Sequence, residues 1–141
     1  LNLSFPKIKK NIIMKSPDLL SKEQSEFSKT GGIHASCLID GSGNVIATRE
    51  DVGRHNALDK LIGFTQKKNL IDNHSQFIAC SGRLNFELVQ KGLMSNIGIM
   101  AGVGAPTSLA IDLAKRFGMT ILGFVKNNSF NIYTYKDRII L

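Results

Sequence analysis

The side chains most able to do chemistry in this chain fall in a few short polar stretches. "EDVGRHNALDK", residues 50–60, gathers Glu50, Asp51, Arg54, His55, Asp59 and Lys60 around a glycine. "SGRLN", Ser81 to Asn85, sets Ser81, Gly82 and Arg83 directly after an apolar run, and "GVGAPTS", Gly102 to Ser108, places glycines and hydroxyls in the same relation to another. The forked guanidinium of arginine matches phosphate oxygens. The free N–H groups at a helix start attract anions. If each stretch turns a strand into a helix, the three together form a cradle for a phosphate-bearing ligand, at Arg54, His55, Ser81, Gly82 and Arg83. The glycines also serve plain turn geometry. No single stretch amounts to a P-loop, because "GVGAPTS" lacks the lysine, and no dinucleotide GxGxxG is present.

A further histidine, His34, lies in "TGGIHAS", Thr30 to Ser36. It is either a ligand-edge residue or a hydrogen-bonded structural one. Near the start of its strand, it need not share an edge with the other turns. Zinc deaminases use His-x-Glu followed by Pro-Cys-x-x-Cys. Here position 36 is Ser and there is no Cys-x-x-Cys, so no zinc is expected. The two cysteines, Cys37 in "ASCLI" and Cys80 in "FIACSG", have no partner at metal-ligand spacing and read as buried reduced thiols. Near the C-terminus "FVKNNS", Phe124 to Ser129, is an ordinary polar loop on its own terms, although Lys126, Asn127, Asn128 and Ser129 carry groups suited to a base edge or a phosphate.

The elements that must hold these residues follow from hydropathy and turn signals. Residues 1–15 read as an arm or entering strand. A helix follows with Ser16 as N-cap, Pro17 at its first position and the Gly31-Gly32 pair at its end. "IHASCLID-GSG-NVIATRE" reads as a β-hairpin. Helices and strands then alternate: a helix with Leu58, Leu61, Ile62 and Thr65 inward; strand "QFIACSG"; a helix with Phe86, Val89, Leu93 and Met94 inward; strand "GIMAG"; a helix from Thr107 to Gly118; strand "TILGFV"; and a last strand in "FNIYTY". Such alternation predicts a layered α/β fold with a largely parallel core, to which the hairpin adds an antiparallel edge. The division expected is 1–29 for the arm and helix and 30–141 for the binding domain, within one globular unit.

With 141 residues and 43% apolar content, the chain is long enough to bury its own core without staples. No apolar run reaches the ~20 residues of a membrane helix, and no signal peptide is read. Lys plus Arg outnumber Asp plus Glu by 18 to 11, which favours acidic ligands or partners. The few aromatics are mostly Phe in apolar settings, which argues against a stacking surface for nucleic acid.

Five stretches in this order, "TGGIHAS", "EDVGRHNALDKLIG", "SGRLNFELVQK", "GAPTSLAIDLAKRFGMTILGF" and "FNIYT", resemble the FdhD family, the accessory sulfurtransferases of formate dehydrogenase. The resemblance runs from about Thr30 to Tyr133. It implies a cytoplasmic homodimer that takes sulfur as a persulfide from a cysteine desulfurase and passes it to molybdenum bis(molybdopterin guanine dinucleotide), without which formate dehydrogenase is inactive. It implies a layered α-β-α sandwich with a mixed sheet, similar to the cytidine deaminase fold but without its zinc. It maps the family's cofactor-contacting segment onto Phe124, Val125, Lys126, Asn127, Asn128 and Ser129, and makes a guanine nucleotide a mimic of the cargo. Neither nucleic acid nor a membrane is an implied partner. The departure is the family's Cys-x-x-Cys sulfur-carrying loop, which is absent from this sequence. The chain is then either a piece of a longer sulfurtransferase or a non-catalytic module that holds cofactor or enzyme. An unrelated nucleotide-binding enzyme on the same fold is a third reading.

Overall fold

The computed structural model describes residues 6–23, 32–72 and 75–141. A two-residue strand, β1 (Ile8–Lys9), leads straight into α1 (Lys10–Glu23). The hairpin β2 (His34–Asp40) and β3 (Val45–Asp51) follows, then α2 (Arg54–Lys67), β4 (Gln76–Cys80), α3 (Phe86–Met94), β5 (Ile99–Gly102), α4 (Ser108–Phe117), β6 (Thr120–Gly123), β7 (Asn131–Ile132), a 3-10 turn (Lys136–Arg138) and β8 (Ile139–Ile140). Six strands form one sheet in the order β3-β2-β4-β5-β6-β7, while β1 and β8 pair in parallel as a separate ribbon, with Ile8 opposite Ile139.

The alternation expected from the sequence is present. β4, β5 and β6 pair in parallel, and β3 runs in the same direction on the far side of β2. β2 and β7 run the other way, so the hairpin forms an antiparallel edge on a parallel core, as expected, and β7 adds a second antiparallel edge. All five residues of β4 are buried, as a central strand covered on both faces requires.

Side chains alternate between two cores. Leu38, Ile78, Cys80, Met100 and Ile121 face α2, α3 and α4 through Leu58, Leu61, Leu88, Val89, Leu93, Ala110 and Ala114. Cys37, Ile39, Phe77, Ala79, Ile99, Ala101 and Leu122 face α1 and β8 through Ile12, Ile13, Leu20 and Ile139. The result is the layered α-β-α sandwich.

Several local expectations are corrected. Ser16 does not cap a helix and Pro17 does not open one: α1 starts at Lys10 and Pro17 lies inside it. Proline has no N–H for the carbonyl four residues back. That carbonyl belongs to Ile13, and the buried Ser16 hydroxyl donates to it at 2.7 Å instead. The Gly31 half of the expected stop lies outside the described residues. In α3 the inward set is Leu88, Val89, Gly92 and Leu93, while Phe86 and Met94 are exposed. The last helix is as read, with Thr107 Oγ1 accepting the Ala110 N–H and Gly118 in the left-handed conformation at φ 82°.

Candidate functional site

Strand directions decide which turns meet. Because β2 is antiparallel to both β3 and β4, the ends of β3, β4, β5 and β6 share one edge of the sheet, and the start of β2 shares it too. His34 pairs with Asp51, and Ser36 pairs with Cys80. His34 therefore stands on the same edge as the three polar turns, which its sequence position leaves open.

At Gly82 two of the candidate side chains approach the backbone closely. A β-carbon there would lie 3.1 Å from His34 Nδ1 and 3.3 Å from Arg54 Cδ, so these two side chains flank the bare glycine backbone. Ser81 locks the turn to β2: its hydroxyl accepts the Ala35 N–H at 2.9 Å, and its own N–H donates to the Ala35 carbonyl at 3.0 Å. Arg54 Nε is buried and has no hydrogen-bond partner among the described residues. Gly53 precedes α2 without a side-chain cap, which leaves the first N–H groups of that helix unclaimed by a capping oxygen.

The next turns join through Gly104. A β-carbon there would meet Arg83 Cγ at 3.3 Å, and its carbonyl accepts the Phe124 N–H at 3.1 Å. Val125 N–H donates to the Gly102 carbonyl at 3.1 Å. These bonds hold Phe124 in left-handed backbone at φ 50°, a conformation that costs a non-glycine residue about 1–2 kcal/mol, and leave its ring partly exposed. Val125 is the exception in the Phe124–Ser129 segment, because its side chain is buried in the core and only its backbone faces the edge. Lys126, Asn127, Asn128 and Ser129 form an exposed turn closed by the Lys126 N–H to the Ser129 carbonyl at 2.8 Å.

The "EDVGRHNALDK" stretch divides. Asp51 holds the turn: it accepts the Gly53 N–H at 3.0 Å and pairs with Lys60 at 2.6 Å, and these two partners push its carboxyl below the usual range, Lys60 first. Four residues after His55, Asp59 has the spacing to steady the ring from the next helical turn, but it does not do so. It pairs across to Lys91 of α3 at 2.8 Å. The His55 ring instead meets Asn85 and Glu87, neither of which the sequence reading assigns a role. Asn85 Nδ2 lies 2.8 Å from His55 Nε2, and Glu87 Oε2 lies 3.5 Å from Nδ1. The signal for Asn85 is present in the sequence as an amide directly before an apolar helix, and Asn85 is indeed the N-cap of α3.

The cysteines stand apart from this chemistry. They occupy neighbouring strands on opposite faces of the sheet, one in each core. Burial pushes the Cys37 thiol up to about 12 and the Cys80 thiol up to about 11, against a smaller opposing effect of their contacts with Thr48 and Ser36. Among the described residues no group of three His, Cys, Asp or Glu side chains converges as metal ligands.

Two sizeable cavities lie away from the edge. One of about 540 Å³ at the opposite end of the strands mixes Lys7 and Lys9 with Asp40 and Asp72, so its charges offset one another. Another of about 490 Å³ lies between α2 and α3, beside Ile62 and Met94. Neither collects the glycine turns and arginines that an anion requires.

A mixed sheet covered by helices on both faces, with polar turns at one edge, puts the chain among α/β folds of the cytidine deaminase type. Guanine deaminase from Nitrosomonas europaea superposes with a TM-score of 0.62 at 11% identity, over 90% of this chain and 83% of that one. At that identity the likeness is one of fold alone. A protein assigned as a formate dehydrogenase accessory protein from Desulfotalea psychrophila superposes with a TM-score of 0.90 at 26% identity, over 99% of this chain and 60% of that one. The sulfur carrier protein FdhD of Sulfurisphaera tokodaii is 45% identical over 134 residues, which is 95% of this chain and 52% of that protein. That of Mycobacterium tuberculosis is 46% identical over 123 residues, 87% of this chain and 45% of its own. The FdhD/NarQ family model matches residues 2–140, and the chain belongs to the FdhD/NarQ family. It spans about half the length of the curated relatives it matches. No helix among the described residues is long and apolar enough to cross a membrane.

Proposed function

We propose that this chain is the cofactor-holding part of a sulfur carrier that serves formate dehydrogenase. Its cargo is molybdenum bis(molybdopterin guanine dinucleotide), and the sulfur comes from a cysteine desulfurase. The observation that carries this reading is the convergence on one edge of Arg54 and His34 about Gly82, of Arg83 against Gly104, and of Phe124 bonded to the same Gly104. Two guanidinium groups, an uncapped helix start and bare glycine backbone suit the pyrophosphates of a guanine dinucleotide. The exposed Phe124 ring and the Lys126–Ser129 turn suit its base. A cytoplasmic homodimer is the setting expected from the family.

Calorimetry with GDP as the mimic tests this. GDP is expected to bind the chain, and Arg83→Ala to weaken it by about tenfold, the worth of one charge-assisted contact. No heat at millimolar GDP would overturn the reading. The second reading, a module that holds cofactor or enzyme without transferring sulfur, is favoured by the burial of both thiols. Incubation with a desulfurase and cysteine followed by mass spectrometry separates the two: a single-sulfur adduct on Cys37 or Cys80 would make this chain a carrier in its own right, and none is expected.

A further inference from the structure

Asn85 meets two demands at once. Its Oδ1 accepts the Leu88 backbone N–H at 3.0 Å and caps α3. A backbone N–H can only donate, so the carboxamide cannot turn over without losing the cap. Its other end, Nδ2, is thereby held 2.8 Å from His55 Nε2. An amide NH₂ has only protons to offer, so Nε2 must be the lone-pair nitrogen of the ring. The proton of the neutral imidazole then sits on Nδ1, and Nδ1 faces Glu87 Oε2 at 3.5 Å.

We propose that Asn85 is a positioning residue that locks His55 as its Nδ1–H tautomer and directs that N–H to Glu87, so that Asn85, His55 and Glu87 form a polar relay joining the starts of α2 and α3. Nε2 is then engaged by Asn85, and Nδ1 lies beside the Glu87 carboxylate. The remaining Nδ1–H faces the Glu87 carboxylate, which disfavours a phosphate there, and the guanidinium groups left to bind an anion on this side of the edge are those of Arg54 and Arg83. The tautomer stands on geometry alone; only this last consequence rests on the nucleotide reading above. It also removes His55 from the direct contacts that its place at a helix start suggests.

The test is two-bond ¹H–¹⁵N correlation NMR on the ¹⁵N-histidine-labelled chain. In the wild type, His55 Nε2 is expected in the pyridine-like range and Nδ1 in the pyrrole-like range. Asn85→Asp keeps an oxygen for the Leu88 N–H, so α3 stays capped, but turns a carboxylate oxygen toward Nε2. In that variant Nε2 is expected to carry a proton, while the melting temperature stays near the wild-type value. A wild-type spectrum with the proton on Nε2, or an Asn85→Asp spectrum unchanged from wild type, would overturn the proposal. In a second, uniformly ¹⁵N-labelled sample, addition of GDP is expected to shift the Arg54 and Arg83 side-chain resonances and to leave the His55 nitrogens in place; a direct GDP bond to either His55 nitrogen would also overturn it. If GDP shifts nothing at all, the nucleotide reading fails, while the tautomer is still decided by the ligand-free spectra.

Discussion

Thiol reactivity tests most directly whether this chain carries sulfur itself. A persulfide carrier must present a thiolate. At pH 7.5 an ordinary cysteine, with its pKa near 8.5, is about one-tenth ionised. Cys37, pushed up to about 12, and Cys80, pushed up to about 11, hold thiolate fractions of roughly three in a hundred thousand and three in ten thousand. Ionisation alone therefore slows them by about three thousand-fold and three hundred-fold relative to a free cysteine. Burial slows them further, because the reagent must wait for the sheet to open. Titration of the native chain with an aromatic disulfide reagent at pH 7.5 is expected to release almost no chromophore over minutes, and the same chain in urea to release two equivalents. The pH dependence has a definite sign. Folding raises both thiol pKa values, so the contribution to stability is complete below the ordinary thiol range and is lost as pH climbs from about 9 toward 12. For Cys37 the full loss is up to ~4 kcal/mol. Native labelling at the rate of free cysteine, or stability that does not fall across that alkaline window, would refute the reasoning.

Other perturbations have equally direct outcomes. Gly82→Ala adds a methyl 3.1 Å from His34 and 3.3 Å from Arg54 without demanding an unusual backbone; GDP affinity is expected to fall about tenfold by calorimetry, with stability changed by no more than ~1 kcal/mol. Ser16→Ala leaves the buried Ile13 carbonyl without the donor that replaces the missing proline N–H, and chemical denaturation is expected to show a loss of ~1–3 kcal/mol. Lys60→Met removes the main partner that depresses the Asp51 carboxyl, so the Asp51 midpoint followed by NMR is expected to rise toward the ordinary carboxylate range. Since a depressed carboxyl stabilises above its unfolded pKa, the wild type loses this contribution as pH falls through the Asp51 midpoint, and the variant has less to lose.

The parts of this fold that were legible in the sequence are those whose cause is local. Thr107 and Gly118 bracket α4 because a hydroxyl that can cap and a residue free to turn left-handed act within one helical turn. The face of α3 was not legible in the same way. Phe86 and Met94 are large and apolar, yet the inward line includes Gly92, which has no side chain to register in a hydropathy pattern. A β-carbon there would come within 2.5 Å of Met100 Sδ, so the sheet packs directly against the bare backbone and swings the larger residues outward. At the candidate site the residue types were readable and the partnerships were not. His34 reaches the common edge through the direction of β2 relative to β4, a pairing over 46 residues between Ala35 and Ser81. Asp59 takes Lys91 of α3 rather than the histidine one turn back. Long-range register and helix-to-helix geometry decide both, and neither leaves a periodic trace.

The β1–β8 ribbon bears on how the molecule responds to mechanical load. Its strands run parallel, with Ile8 opposite Ile139 and Lys9 opposite Ile140. Tension applied through the two ends of the chain pulls the entrance of β1 and the exit of β8 in opposite directions along the strand axis. The ribbon is thus loaded in shear, with its hydrogen bonds strained together rather than opened one at a time. Two residues on each side make it a short clamp. Such a load reaches this ribbon before the six-stranded sheet, because β1 and β8 are the outermost strands in chain order.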